Sequence, residues 1–436
     1  MTSRVSSTLA RHILADGLPL VFDLKKSRGS QLVDKNSGDS FLDFFSMFAS
    51  MAVGHNHPSL LAIQEQLGAV AIQKPSSSDV YTEEFAEFVD TFAQLAMPAF
   101  MPHAFFIEGG ALAVENSLKT AFDWKTRLNQ ARGIATPKGT KIIHFQQAFH
   151  GRSGYTLSLT NTHDPRKTKF FPIMDWPRIL NPKITFPLNR ENLGQVIELE
   201  ERALAQIHQV IGREGDDIAG LIIEPIQGEG GDNHFRPIFF RQLRKICDDH
   251  DILFIVDEIQ SGMGITGKMW AHEHLEIEPD ILCFGKKTQV CGIMASKRID
   301  KVENNVFKES SRLNSTFGGN LVDMVRCTHI LRIIEEERLV DNARVQGNHL
   351  LRQLEGLGEE FPHLVSNPRG RGLMCAFDLP SETMRNQFIE DMYKARVLLL
   401  GCGEKAIRFR PHLVVRREEI DEGMDIIRRT IKKTMG

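Results

Sequence analysis

The chain has 436 residues, 42% of them apolar and 25% charged, with a formal net charge of −3. That is the profile of a soluble globular protein with room for two or three domains. Basic runs stop at pairs such as Arg416-Arg417 and Lys432-Lys433, which argues against nucleic acid as the main partner, and no window approaches 18 uninterrupted apolar residues, as a membrane span would require.

The first 60 or so residues carry turn signals at DKNSGD (34–39) and GHNHP (54–58). They read as an arm with small strands. The opening stretch lacks an apolar signal core, so a cytoplasmic protein is expected. Short apolar runs then recur at AFFI (104–107), KIIHF (141–145), AGLIIE (219–224), ILFIVD (252–257) and ILCF (281–284). Each is continuous rather than alternating, as strands buried on both faces are. Helical stretches at 111–131 and 239–251 lie between them. Strand alternating with helix implies an α/β fold with a mostly parallel sheet covered by helices. From about residue 322 two long helical stretches precede strand candidates at GLMCAFDL and VLLLG, which reads as a smaller α+β domain. The expected division is therefore an arm at 1–60, a large domain at 61–321 and a small C-terminal domain at 322–436. Six cysteines occur without a CxxC pair. Reduced, buried thiols are expected, with no metal site.

In open α/β sheets ligands bind outside the carboxyl ends of the strands. The residues that follow the apolar runs are Glu108-Gly109-Gly110, Phe149-His150-Gly151-Arg152, Glu224, Asp257-Glu258 and Gly285-Lys286. Gly109-Gly110 would let a backbone approach an anion, with the amides of Ala111 and Leu112 and a helix dipole behind them. Taken alone, a tight turn with no ligand is the commoner reason for a glycine pair. Asp257 at the end of a buried strand must find a partner, and a helix cap or an arginine would serve. An amine held among apolar walls becomes nucleophilic toward carbonyls, yet a lone lysine is usually a solvated one.

Together these residues suggest pyridoxal 5'-phosphate. That cofactor needs a lysine for its aldehyde, a carboxylate for its ring nitrogen, an anion cradle for its phosphate and a flat side chain against its ring. Lys286, Asp257, Gly110-Ala111 and Phe149 supply one of each.

The stretches EGGALAVEN, FHGRSGYTLSLT, IIEPIQGEGG, IVDEIQSGMG, FGKK, NSTFGGN and IRFRPHL resemble the ordered motif series of the class III, ω-type aminotransferases. More narrowly, FGKKTQVCG, KPSSSDVY, SRLNSTFGGN and PRGRGLMCAF resemble the L-lysine 6-aminotransferase family. The resemblance implies the type I aminotransferase fold and a homodimer with active sites at the subunit interface. It makes Lys286, directly after the strand-ending glycine, the Schiff-base lysine, 29 residues beyond Asp257. Lys287 is then left for the surface or the interface. It also implies that Phe149 stacks on the ring, Gln260 reaches the ring hydroxyl, Gly110 and Ala111 hold the phosphate, and Thr316 reaches the phosphate of the other subunit's cofactor. Glu224 joins this set as a strand-end carboxylate. His150 suits either cofactor contact or a core or hinge position. The chain departs from the common pattern at Gly109, Leu112 and His412, where a serine, a glutamate and a proline are usual.

The same resemblance assigns Arg152 to the distal α-carboxylate of L-lysine and Arg408 to the carboxylate of 2-oxoglutarate nearest the cofactor. Glu229 then pairs with Arg408 and swings away for the keto acid, with glycines on both sides to ease the motion. The implied reaction moves the ε-amino group of L-lysine to 2-oxoglutarate. Ornithine or 4-aminobutyrate donors, an aminomutase or racemase on the same fold, and a noncatalytic cofactor-binding regulator are the rivals. The last would need a DNA-binding segment, and no basic stretch of that kind appears.

Overall fold

The structure, a computed structural model, describes residues 4–135 and 137–434. The extreme ends of the expected arm and C-terminal domain thus lie outside the described residues. Near the N-terminus, β1 (Gln31–Val33) and β2 (Ser40–Asp43) form a hairpin around the DKNSGD turn. A seven-stranded sheet follows, built from β3 (His103–Ile107), β4 (Lys141–Phe145), β5 (Arg178–Ile179), β6 (Ile218–Ile223), β7 (Leu253–Asp257), β8 (Ile281–Phe284) and β9 (Cys291–Ala295). Its order is β3-β9-β8-β7-β6-β4-β5. All neighbours are parallel except β9, which runs antiparallel to both β3 and β8.

The five apolar runs became β3, β4, β6, β7 and β8. Their continuity has the expected cause. On β7, Leu253 and Ile255 pack on one face with Val114, Leu118 and Ala121 of the helix Gly110–Ala131. Phe254 and Val256 pack on the other with Phe239, Phe240 and Leu243 of the helix Pro237–Asp249. Each such side chain, fully buried, contributes about 1.5–3 kcal/mol.

Two sheet strands left no signal in the sequence. β5 is two residues long. β9 reads CGIMA, and its Gly292 marks close approach: a Cβ there would meet the Phe105 carbonyl at 2.2 Å and the Phe284 ring at 2.6 Å.

The C-terminal part holds the helices Leu321–Glu336 and Leu339–Glu360, then β10 (Ser366–Arg371), β11 (Met374–Asp378), β12 (Val397–Leu398), β13 (Leu400–Cys402) and β14 (Ala406–Phe409). Strands β10, β11, β14 and β13 form an antiparallel sheet in that order. β12 instead pairs in parallel with β2. The N-terminal hairpin is thus built into the C-terminal part rather than lying beside it, a pairing too short for periodicity to announce.

His412 helps make that joint. Its Nδ1 lies 2.7 Å from the Met51 carbonyl and its Nε2 3.2 Å from Asp43 Oδ2, which also accepts from His55 Nε2 at 2.9 Å. Burial alone would raise the Asp43 carboxyl, but the two imidazoles hold it below the usual carboxylate range. Asp43 Oδ1 accepts from the amides of Phe45 and Ser46, and Ser46 Oγ donates to the Arg410 carbonyl. These bonds support a left-handed turn, with φ of 41°, 52°, 60° and 68° at Ser46, Met47, Phe48 and Ala49. Non-glycine residues adopt that conformation at about 1–2 kcal/mol each.

Candidate active site

The strand β8 ends at Phe284, and Gly285 leads into a single 3-10 turn, Lys286–Thr288. A Cβ at Gly285 would meet Cys291 Sγ at 2.9 Å, so the turn packs closely against β9. Lys286 has φ 55°, a rare left-handed position for a lysine and one that strained functional sites favour. Its Nζ lies 5.9 Å from the centre of the Phe48 ring. Burial, then the Arg408 and Arg410 guanidinium groups, push its amine down to about 8, against the opposing pull of Glu229 and Asp257.

Lys287 does not lie at the surface, as the sequence reading allowed. It is 2% exposed, and its Nζ donates to the Gln260 carbonyl at 3.0 Å. Burial drives its amine well below the ordinary lysine value. The adjacent lysines therefore have opposite surroundings: Lys286 faces a cleft with an aromatic and two arginines, and Lys287 is sealed under the turn.

Asp257 ends β7 and is 5% exposed. Its Oδ1 accepts from the Ile259 amide at 3.1 Å and its Oδ2 from His150 Nδ1 at 2.8 Å. A carboxylate only accepts here, so the His150 proton sits on Nδ1. His150 Nε2 has no partner among the described residues. The structure therefore places His150 against Asp257, as a group that fixes the carboxylate. Glu224 is held by backbone amides. Its two oxygens accept the amides of Phe149 at 3.0 Å and Gly228 at 3.2 Å, and burial with the nearby Asp257 raises its carboxyl well above the ordinary value. It ties together the two loops that carry Phe149 and Glu229.

Gly110 starts a 22-residue helix, with Gly109 before it at φ 91°. The first amides of that helix are a ready anion site. A Cβ at Gly110 would meet Ile259 Cδ1 at 3.1 Å, and one at Gly151 would meet the Ala111 Cβ at 2.8 Å. These close approaches bring the helix start, the turn after Asp257 and the Phe149–Arg152 segment to one place. Gln260 comes from that same turn. Its Oε1 accepts from Arg410 Nε at 3.0 Å and Nη2 at 2.8 Å, which leaves its amide nitrogen free to donate. Arg410 is fixed in turn by the buried Asp232. Thr316 is exposed, on a loop whose Ser315 carbonyl accepts from Ser78 Oγ at 3.0 Å; this joins the KPSSSDVY stretch to NSTFGGN.

Arg408 lies in β14, opposite Ala376 of β11 and Leu400 of β13, and is 3% exposed. Its Nη2 lies 2.9 Å from Glu229 Oε2. Arg152 is exposed, makes no ion pair among the described residues, and has its guanidinium carbon 5.8 Å from the Phe149 ring centre. The glycines around Glu229 do not loosen the backbone. A Cβ at Gly228 would meet Gln260 Oε1 at 2.2 Å and one at Gly230 the Gln147 carbonyl at 2.0 Å, and the Glu229 carbonyl is held by the Gly403 amide at 2.9 Å. Any motion here belongs to the side chain.

Three residues at the site escaped the sequence reading: Arg410, described above beside Gln260 and Lys286, Phe48 and Lys167. Phe48 packs its ring 5.8 Å from the Arg408 guanidinium carbon as well as beside Lys286; nothing in SMFAS announces a left-handed turn. Lys167 places its Nζ 2.8 Å from Glu229 Oε1 and 5.5 Å from the Phe149 ring centre. It sits in DPRKTK, which reads as an ordinary charged loop.

Residues 14–431 match the family Aminotransferase class-III. The chain belongs to the class-III aminotransferases. It is 50% identical over 428 residues to the L-lysine-epsilon aminotransferase of Mycobacterium tuberculosis, an alignment that spans 98% of this chain and 94% of that one. The counterpart from Amycolatopsis lactamdurans is 47% identical, with 97% and 94% covered. The solved lysine aminotransferase from M. tuberculosis superposes with a TM-score of 0.97 at 49% identity, covering 99% of each chain. The fold is the type I aminotransferase fold.

Pyridoxal 5'-phosphate is the cofactor of a class-III aminotransferase, and the residues here fit it. A depressed amine at Lys286, a buried carboxylate oriented by His150, a helix start stripped of side chains at Gly109-Gly110 and the Phe149 ring all stand at or just past the same ends of β8, β7, β3 and β4. The unpartnered ring nitrogen of His150 and Nε of Arg408 are the buried polar atoms this class-III site leaves open. Among the described residues no helix is long and apolar enough to cross a membrane.

Proposed function

We propose that this class-III aminotransferase moves the ε-amino group of L-lysine to 2-oxoglutarate, giving 2-aminoadipate 6-semialdehyde and L-glutamate. One observation carries the reading: Arg408, which shares the Phe48 ring with Lys286, is covered by Glu229, while Arg152, beside the Phe149 ring, makes no ion pair among the described residues. A donor whose amine sits on a methylene carbon needs no cation next to that carbon. It needs one at its distant carboxylate. The relatives named for lysine support the same donor. The keto acid has a carboxylate beside its reacting carbon and requires Arg408 uncovered.

The cofactor, when bound, supplies an electron sink for the carbon that loses its proton. The chain's residues do the rest. Gly110 and Ala111 would hold its phosphate through the helix-start amides, Phe149 its ring face, Gln260 its hydroxyl and Asp257 its ring nitrogen. Lys286 Nζ carries the proton from the amine-bearing carbon, a task suited to an amine near 8. Arg152 orients the distal carboxylate, and Glu229 sets which carboxylate Arg408 meets.

The assembly and setting belong to the same proposal. A homodimer with interface sites is supported by Thr316, exposed on the loop that Ser78 ties down through the Ser315 carbonyl. A cytoplasmic setting is supported by six free, buried cysteines. The boundary at 321 is supported by sheets that fall within 103–295 and 366–409, whereas β12 pairs with β2 and joins the expected arm at 1–60 to the small domain. Ornithine, 4-aminobutyrate and acceptor-independent chemistry are separated from this reading by a donor screen with and without 2-oxoglutarate.

Glu229→Ala tests the reading. The variant leaves a bare guanidinium beside the donor, so rate with L-lysine should fall and rate with L-glutamate rise in the first half-reaction. The preference should shift by roughly one to three powers of ten, the scale of a charged contact worth ~1.5–4 kcal/mol in a partly desolvated site. The 2-oxoglutarate half-reaction should suffer little. Single-turnover spectroscopy on the cofactor band measures each half separately. Equal losses with lysine and glutamate would make Glu229 a fixed structural partner.

A further inference from the structure

Glu229 bridges two cations, one oxygen to each. Oε2 meets Arg408 at 2.9 Å, and Oε1 meets Lys167 Nζ at 2.8 Å. The cations are mounted differently. Arg408 comes from the middle of β14, bonded on both sides by β11 and β13. Lys167 ends a short 3-10 turn, Pro165–Lys167, in the loop between the helix Gly154–Leu159 and β5. Its long stem can follow a moving partner. Burial alone would raise the Glu229 carboxyl, and Arg408 with Lys167 holds it down.

We propose that Lys167 is the positioning residue that receives Glu229 when Arg408 is uncovered, and so sets how readily the site accepts a carboxylate beside the reacting carbon. The inference rests on the gating role of Glu229 and deepens it. A carboxylate leaving an arginine in a partly desolvated site becomes an unpaired charge unless a second cation waits for it. Lys167 already holds one of its oxygens. The backbone at Glu229 is packed at Gly228 and Gly230, so the carboxylate can pivot only on its own side chain, and Lys167 fixes the direction of that pivot. In the covered state Glu229 has two partners; in the uncovered state it has Lys167 alone. Removing Lys167 takes one partner of two from the covered state and the only partner from the uncovered one. The uncovered state suffers more. The result runs opposite to that of removing Glu229.

The test uses the holoenzyme and its variants Lys167→Met, Lys167→Arg, Glu229→Ala and the Lys167→Met/Glu229→Ala pair. Calorimetry measures the binding of glutarate, a dicarboxylate that lacks the keto group and does not react. Single-turnover spectroscopy measures the L-lysine and 2-oxoglutarate half-reactions. Lys167→Met should weaken glutarate and lower the subsaturating 2-oxoglutarate rate by roughly tenfold, the scale of one charge-assisted hydrogen bond, and slow L-lysine far less. Lys167→Arg should restore most of the loss. In the Glu229→Ala background, Lys167→Met should add nothing, since there is no carboxylate left to receive. An equal loss with both substrates would overturn the proposal and make Lys167 a static support. A further loss of glutarate binding in the Glu229→Ala background would also overturn it and make Lys167 a direct ligand. In either case the gate itself still stands if Glu229→Ala alone exchanges the lysine and glutamate preference, and falls if it does not.

Discussion

Lys286→Ala should retain pyridoxal phosphate only noncovalently and lose turnover by several orders of magnitude, because one amine provides both the covalent anchor and the proton carrier. The neighbouring lysine supplies the control. Lys287 is buried, and among the described residues its amine has a single hydrogen-bond partner, the Gln260 carbonyl. Lys287→Met removes that bond and leaves one buried acceptor unsatisfied, a loss of roughly 1–3 kcal/mol of stability, with the covalent link to the cofactor intact. Borohydride reduction followed by peptide mass mapping reads the difference directly. The added mass should fall on Lys286 in the native chain and in Lys287→Met, and be absent from Lys286→Ala. A label on Lys287 would overturn the assignment.

Asp257→Asn should keep the fold and lose at least about a hundredfold in turnover, ~2.7 kcal/mol of barrier at the standard conversion. The amide is nearly isosteric with the carboxylate but carries no charge to keep the cofactor's ring nitrogen protonated, so the electron sink weakens. The present neighbours sharpen the expectation. His150 donates to Oδ2 and the Ile259 amide to Oδ1, and an asparagine can accept only one of the two while its NH2 confronts the other. Turnover within about tenfold of the native enzyme, with an unchanged melting temperature, would count against the pairing.

The large sheet was legible because its strands are buried on both faces, which makes each an uninterrupted apolar run. Lys286, Asp257, Phe149 and Gly110 were picked out as candidates because each stands at or just past the end of such a run. What escaped has equally physical causes. β9 is antiparallel, five residues long and contains a glycine, so it matches no continuous run. Phe48 reaches the site through a left-handed turn held locally by Asp43 and, across 364 residues, by the bond from Ser46 Oγ to the Arg410 carbonyl, and composition carries no trace of it. Lys167 sits in a loop with charges of both signs, where one lysine looks like any other. The surface position allowed for Lys287 failed because adjacent lysines suggest solvent, whereas the turn after Gly285 sets one beside Phe48 and buries the next. His412 departs from the usual proline, and its two ring nitrogens serve a joint between chain segments more than 350 residues apart.

The central claim is that L-lysine is the amine donor, and the half-reaction with one substrate tests it most directly. L-lysine alone, added to the holoenzyme, should convert the absorbance band of the lysine-bound cofactor to that of its aminated form in a single turnover, and 2-oxoglutarate alone should reverse the change. Ornithine and 4-aminobutyrate should convert it more slowly at equal concentration. A band that stays unchanged with L-lysine while either of those donors converts it would contradict the account.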